Sequence, residues 1–192
     1  TRAYEWLRDI QGRSIPRMYA HVRLMLSSSD LPPGILQPAM ARFFEVKGVL
    51  LERISGYNLE DLGTSPLALS KTENWGAIVQ SAVDAAHDIN KRGVVMNDCQ
   101  PRNVMVDGRS QMPFLIDFAD CYFKDAFQER WEWDEWEEGE PWDPDVGYWE
   151  AAMSNNNTGG IGHRMKLNLL RAKGIDLSTY QVSGLRRDRR RD

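Results

Sequence analysis

The stretch that decides the fold lies in the middle of the chain. Val94–Val106 reads VVMNDCQPRNVMV, and Phe114–Asp120 reads FLIDFAD. The apolar triplets VVM, VMV and FLI predict three short strands, and the Asp-Gly pair between the last two predicts a hairpin. Asp98, Asn103 and Asp117 stand at the ends of these strands. The pattern therefore predicts three oxygen-bearing side chains on neighbouring turns.

This set of side chains suits phosphoryl transfer from ATP. That reaction uses one carboxylate to orient the acceptor hydroxyl, and a carboxylate together with an amide to hold Mg²⁺ on the phosphates. Taken singly, Asp98 is also compatible with a local loop turn, and Asn103 with a cap at a strand edge. The joint spacing favours the phosphotransferase interpretation, because Asn103 follows Asp98 by five residues and Asp117 follows it by nineteen.

A long amphipathic helix is predicted before this stretch, over Lys71–Arg92. Its apolar residues recur in steps of three and one, which forms one continuous stripe. Ser70 and Glu73 fit a capping box at its start, and Gly93 fits a stop signal at its end. The stripe consists of Trp75, Ile78, Val79, Ala82, Val83, Ala86 and Ile89.

The N-terminal part of the chain predicts the end of a helix and two strands. Arg2–Ile10 has helical periodicity and is followed by Gly12 as a stop signal. Ile15–Leu24 predicts an extended segment, residues 27–34 predict a turn, and Gly48–Ile54 predicts a strand. The apolar face of the helix consists of Ala3, Tyr4, Leu7 and Ile10.

This order of elements resembles the protein-kinase-like superfamily, which includes the protein kinases and the aminoglycoside and choline phosphotransferases. In that resemblance Asp98 matches the catalytic Asp, Asn103 matches the metal-binding Asn, and Asp117 opens the Asp-Phe-Gly metal motif. The resemblance implies ATP and Mg²⁺ as cofactors. It also implies an α+β, protein-kinase-like fold with a mostly helical C-lobe and a remnant of the N-lobe sheet. The sequences at residues 4–7, 15–16 and 93–95 also resemble those of short kinase-like proteins of filamentous fungi.

The resemblance also implies a nucleotide site. Leu51 would be the gatekeeper, and the backbone from Glu52 to Ile54 would meet adenine. Met105 would lie under the adenine ring, although an apolar Met there is equally compatible with plain core. Gln100 would face the γ-phosphate, and because Gln is neutral where the family carries Lys or His, a charge-assisted bond is lost.

Three regions follow from the same comparison. Residues 1–55 would be a partial N-lobe, with the end of helix C, two strands and the start of the hinge. Residues 56–183 would be the C-lobe, with an acidic, Trp-rich insertion at 128–150, and residues 184–192 an Arg-rich tail. The insertion predicts a docking site for a basic partner, a fold-back onto the tail, or a solvated segment with half-packed Trp rings. The tail predicts a disordered terminus or a phosphate-binding or nuclear patch.

Several departures from the family pattern lower the expected activity. The 192 residues contain no Gly-rich loop before the first helix and no phosphate-pairing Lys. Ala119 replaces the motif Gly, and Thr158–His163 imitates a Gly loop but predicts a surface turn. We therefore expect a phosphotransferase domain fragment that transfers the ATP γ-phosphate weakly or not at all. Its acceptor would be a hydroxyl of a protein or small molecule, and the alternative is a pseudokinase-type binding scaffold.

Composition narrows the partners and the location. The chain carries 24 basic and 28 acidic residues, a formal net charge of −4, which argues against a nucleic-acid partner. It contains no apolar run of the ~18 residues that a spanning helix needs, so no membrane partner is expected. Cys99 and Cys121 are too few for a disulfide framework, which favours an intracellular, cytoplasmic location, with the nucleus as a second option.

Overall fold

The computed structural model of the protein describes residues 1–25, 45–127 and 143–177. Within these ranges the fold is mixed α+β, with small antiparallel sheets around a helical core. The helices are α1 (Arg2–Trp6), α2 (Trp75–Lys91), α3 (Pro144–Asn155) and α4 (Asn157–Lys173), and residues 124–127 add one further helical turn. The strands are β1 (Met18–Met25), β2 (Glu45–Leu51), β3 (Gly56–Asn58), β4 (Val94–Met96), β5 (Val104–Asp107), β6 (Pro113–Leu115) and β7 (Cys121–Phe123).

The strands form three separate sheets. β1 and β2 make a two-stranded ribbon, β3, β5 and β6 make a three-stranded sheet in that order, and β4 pairs with β7. The predicted hairpin is confirmed: β5 and β6 pair antiparallel, with Val104 opposite Leu115. Asp107 closes the connecting turn, because its Oδ1 accepts hydrogen bonds from the backbone amides of Arg109 and Ser110.

Helix α2 is the centre of the core. Every residue of the predicted apolar stripe is buried, and the helix packs against α4 and against β4 and β6. Its predicted end is confirmed, since Gly93 has a φ of 84° and stops the helix after Lys91. Burial of this stripe stabilises the fold by roughly 25 cal/mol for each Å² of apolar surface removed from water.

The predicted capping box at the start of this helix is wrong. A 3-10 turn at Thr72–Asn74 precedes α2, and the helix has no side-chain cap. The Glu73 carboxylate instead lies 4.0 Å from the Lys71 ammonium. The indole of Trp75 donates to the carbonyl of Leu69 at 2.8 Å, which turns the chain before the helix begins. The N-cap position falls on Lys71 for the 3-10 turn and on Asn74 for α2, so Ser70 is not placed to form the predicted box.

The N-terminal segment packs onto this core as predicted. The four residues of the predicted apolar face are buried; they lie in α1, at Leu7, and in the 3-10 turn Arg8–Ile10. The amide of Leu115 in β6 donates to the carbonyl of Ser14 at 2.8 Å, and the Arg92 guanidinium pairs with Asp9 at 2.8 Å. The segment is thus attached to both the end of α2 and the three-stranded sheet.

Both predicted N-terminal strands exist, although their bounds differ from the prediction. β1 begins at Met18, three residues after the buried Ile15, and β2 ends at Leu51. Beyond β2, Glu52 binds the Arg17 guanidinium at 2.7 Å and the Arg17 amide at 3.0 Å, which redirects the chain. The turn predicted at residues 27–34 lies outside the described residues.

The prediction of a surface turn at Thr158–His163 is wrong. These residues belong to α4, and Asn157 and Thr158 at its start are buried. The glycines serve close packing: a Cβ on Gly160 would lie 2.4 Å from the carbonyl oxygen of Cys99. Asn156 caps the helix from the left-handed conformation, with a φ of 47°, and its side chain accepts from the amide of Gly159.

The acidic insertion is described only from residue 143 onward. Asp143 caps α3 by accepting from the amide of Asp145 at 2.8 Å, and Tyr148 and Ala152 of this helix are buried. Residues 128–142, with most of the predicted docking or solvated segment, and the tail at 184–192 lie outside the described residues. In the ranges that are described, every helix is too short or too polar to cross a bilayer.

Candidate functional site

The predicted catalytic loop joins β4 to β5. Asp98 and Asn103 sit at its two ends, and a 3-10 turn at Pro101–Asn103 brings them together. The Asn103 amide nitrogen donates to the carbonyl oxygen of Asp98 at 2.9 Å and to its Oδ2 at 3.0 Å. The amide of Ile116 donates to the carbonyl of Asn103 at 2.9 Å, so the residue before Asp117 is bonded to this loop. The structure therefore brings the three predicted residues to one end of the hairpin.

Asp117 has an unusual backbone conformation. Its φ is 64°, in the left-handed region that non-glycine residues seldom adopt. Its Oδ1 accepts weakly from the Ala119 amide at 3.4 Å, a local bond of the kind that lets Asp tolerate this region. Ala119 stands where the family motif has Gly, yet the positive φ of this turn falls on Asp117. Such conformations often mark functional positions.

Helix α1 packs beside this turn. The rings of Tyr4 and Phe118 meet edge to face, with centroids 5.4 Å apart. Burial, and then the nearby charge of Asp117, raises the pKa of the Tyr4 hydroxyl to about 12. The Tyr4 phenol is therefore neutral at physiological pH. Its buried ring provides apolar surface next to the exposed carboxylate of Asp117.

The donor set fits a Mg²⁺ ion that arrives with phosphates. Asp117 is exposed, and the Asn103 side-chain oxygen accepts no hydrogen bond from the described part of the chain. Mg²⁺ usually binds one or two protein oxygens and completes its shell with water and phosphate. Among the described residues no group of three or more His, Cys, Asp or Glu is arranged to hold a metal by itself. The chemistry thus suits a metal shared with a ligand rather than a closed protein site.

An ion pair that the sequence interpretation missed occupies the Asp98 carboxylate. Nη2 of Arg102 donates to Oδ1 at 2.8 Å and to Oδ2 at 2.7 Å. Nη1 of Arg102 bonds to the side-chain oxygen of Gln100, and Asn58 donates to the Arg102 carbonyl. The i, i+4 spacing of Asp98 and Arg102 was the available signal, but that spacing predicts a contact only once the intervening residues form a turn.

The residues predicted to hold the adenine are distributed over two sheets. Leu51 ends β2, Glu52 is engaged by Arg17, and Ile54 lies half-buried in the connection to β3. Met105 lies in β5 opposite Phe114 and is half-buried, between the fully buried neighbours of its strand. The side chain of Met105 therefore points away from the face of the sheet that packs on α2.

Buried polar contacts fix β4, the strand that precedes the predicted catalytic loop. With its nitrogen turned toward Met96, the Asn157 amide donates to the Met96 carbonyl at 2.7 Å and accepts from the Met96 amide at 3.0 Å. Asn157 also lies against Asn90 of α2, whose carbonyl accepts from the Tyr148 hydroxyl. Helices α2, α3 and α4 thus converge on Met96, two residues before Asp98.

The two cysteines, Cys99 and Cys121, lie next to the site, and neither thiol is activated. Burial, and then the proximity of Cys121, raises the pKa of the Cys99 thiol to about 12. Burial, followed by the charges of Asp120 and Asp117, raises the pKa of Cys121 to about 12 as well. Both thiols are protonated near neutral pH, so neither is an activated nucleophile.

Comparisons with known proteins give no assignment. No model of a known protein family matches the chain, and no curated protein matches it either.

Proposed function

We propose that this chain carries a kinase-like phosphotransferase site that binds Mg²⁺-ATP weakly and transfers its γ-phosphate slowly to a hydroxyl acceptor. The observation that supports this most is the bonding of Asn103, which donates to Asp98 and accepts from the amide beside Asp117. Two carboxylates and one amide are thereby grouped at one end of a hairpin. The acceptor is a protein or a small molecule, and the proposed location is intracellular.

Each residue has a distinct role in this proposal. Bound Mg²⁺ would neutralise part of the phosphate charge, and Asn103 and Asp117 would hold it through their side-chain oxygens. Asp98 would orient the acceptor hydroxyl and take its proton. As the family resemblance implies, the adenine would lie against Leu51, Glu52, Ile54 and Met105. The γ-phosphate would face Gln100.

Nucleotide binding is expected to be weak and to depend on magnesium. Because Asp117 is exposed and the site is open to water, its contacts are screened, and we expect a Kd of roughly 0.1–1 mM, or ~4–5.5 kcal/mol. Asp117→Ala should remove the effect of Mg²⁺ on ATP binding measured by calorimetry. The matched control is Asp120→Ala, another exposed carboxylate three residues away. Binding that is indifferent to Mg²⁺, or equal losses in both variants, would contradict the assignment.

Turnover by the 192 residues is expected to be low. They contain no counterpart of the phosphate-pairing Lys, and loss of one charge-stabilising contact typically lowers kcat by about 10²–10³-fold. We expect phosphate transfer or ATP hydrolysis at about 0.001–1 s⁻¹, which is ~1–100 s⁻¹ for typical kinases lowered by that factor. A radiolabelled ATP assay measures this, with Asp98→Asn as the inactive reference. Fast turnover that Asp98→Asn abolishes would show that the expectation of weak activity is wrong.

A pseudokinase-type scaffold is the second candidate. The observation in its favour is the ion pair between Arg102 and Asp98, which occupies the carboxylate that catalysis needs. A scaffold would show the fold described above, with no ATP binding at millimolar nucleotide and no turnover. Its proposed partner is basic, because the insertion at 128–150 is strongly acidic.

A further inference from the structure

The guanidinium of Arg102 is hydrogen-bonded to the side-chain carboxylate of Asp98. It bonds to both carboxylate oxygens, and the Asn103 amide adds a second donor to Oδ2. An ionised carboxylate has about four acceptor sites, so these three hydrogen bonds leave Asp98 only one site for an acceptor hydroxyl. Movement of Arg102 therefore frees Asp98 for the proposed reaction.

The ion pair between Arg102 and Asp98 has good hydrogen-bond distances, but it contributes little to the free energy of folding. The side chains of Arg102 and Asp98 are 50% and 40% exposed, so water screens their attraction. Exposed ion pairs of this kind contribute little to stability. A phosphate group carries more charge than one carboxylate and matches the flat guanidinium fork in a bidentate way. A phosphate that reaches this loop is therefore an effective competitor for Arg102.

In the proposed function, the loop between β4 and β5 holds phosphates close to Arg102. Arg102 directly precedes Asn103 in the 3-10 turn, and Asn103 is one of the two residues proposed to hold Mg²⁺ and its phosphates. Asn58 donates to the carbonyl of Arg102 and tethers its backbone, which leaves the long side chain as the part that moves.

We propose that Arg102 is a phosphate-responsive latch on Asp98. In the empty site its guanidinium neutralises the Asp98 carboxylate. When the phosphates of a nucleotide bind, the guanidinium transfers to them and frees Asp98 to meet the acceptor. Arg102 is thus a positioning residue: through it, nucleotide binding releases the Asp98 carboxylate to act as the base. This inference rests on the proposed function, because it places phosphates at Asn103.

The test measures binding of metal-free pyrophosphate by calorimetry at low ionic strength. Arg102→Ala should weaken binding at least fivefold, and Arg102→Lys should restore part of it. Asp98→Asn should strengthen binding by roughly two- to fivefold, the scale set by half-exposed ion pairs, because it releases the guanidinium. Arg109→Ala is the matched control, since Arg109 is an exposed Arg in the β5–β6 turn.

The opposite signs exclude misfolding, which cannot strengthen binding. A gain in Asp98→Asn that persists when Arg102 is also replaced by alanine overturns the latch, because the loss of one negative charge then explains it without Arg102. Unchanged or weaker binding by Asp98→Asn overturns the latch, as does an effect of Arg109→Ala equal to that of Arg102→Ala. Absence of pyrophosphate binding in both the wild type and Asp98→Asn also overturns it. Failure of the proposed function appears elsewhere, in the Mg²⁺ dependence of ATP binding that Asp117→Ala tests, so the two failures are distinguishable.

Discussion

Replacing Gly56 by alanine is expected to destabilise the protein by roughly 3 kcal/mol, because it forces overpacking in a tightly paired sheet. A Cβ on Gly56 would lie 1.7 Å from the carbonyl oxygen of Val106 and 2.8 Å from its carbonyl carbon. The obstacle is backbone, so no side-chain rotation relieves it. The pairing of β3 with β5, in which Gly56 lies opposite Asp107, would have to shift or open.

Thermal unfolding followed by circular dichroism measures this loss. A change of 1 kcal/mol lowers the Tm by about 2–4 °C in a protein of this size, so we expect a drop of roughly 6–12 °C. Gly48→Ala in β2 is the matched control, because its added Cβ would meet only a side-chain carbon of Val22, at 3.4 Å. A Tm for Gly56→Ala within 1–2 °C of that control would contradict the described contact between β3 and β5.

Replacing Asn157 by alanine is expected to lower the free energy of unfolding by roughly 2–5 kcal/mol, about as much as Gly56→Ala. It should also disturb the candidate site. The substitution removes both hydrogen bonds to the Met96 backbone and the contact with Asn90, all in the interior. Each buried polar group left without a partner costs about 1–3 kcal/mol. Because Met96 precedes Asp98 by two residues, the loss also loosens the strand that positions the candidate base.

Chemical unfolding in urea, with its linear dependence on denaturant, gives the free energy of unfolding. Asn168→Ala is the matched control, since Asn168 lies exposed on the same helix and alanine favours helices. We expect it to change stability by less than about 0.5 kcal/mol. Equal effects of the two substitutions would mean that the contact of Asn157 with Met96 contributes nothing.

Local sequence patterns predicted the elements that carry the candidate site. The stripe of α2, its stop at Gly93 and the hairpin of β5 and β6 are confirmed. They were predictable because apolar periodicity, a glycine stop and an Asp-Gly turn act over a few residues. The order of Asp98, Asn103 and Asp117 along these elements then sufficed to predict that they lie on neighbouring turns. Their roles in phosphoryl transfer stay a prediction.

Other features depend on contacts between distant parts of the chain. The start of α2 follows from the bond of Trp75 to the Leu69 carbonyl, which displaces the predicted capping box. Helix α4 begins with polar residues and glycines, a composition typical of a turn. It is a buried helix because Asn157 finds partners on Met96 and because Gly160 lets the backbone approach Cys99.

The sequence by itself thus determined the α+β class, the central helix and the grouping of the three site residues, because each depends on short-range patterns of polarity. Only the tertiary structure decided that Arg102 covers Asp98 and that Asp117 takes the left-handed conformation. It also decided that a Gly-rich polar stretch packs behind the predicted catalytic loop. The physical reason is that hydrogen bonds, ion pairs and close backbone contacts are made between groups whose proximity is fixed only when the whole core has assembled.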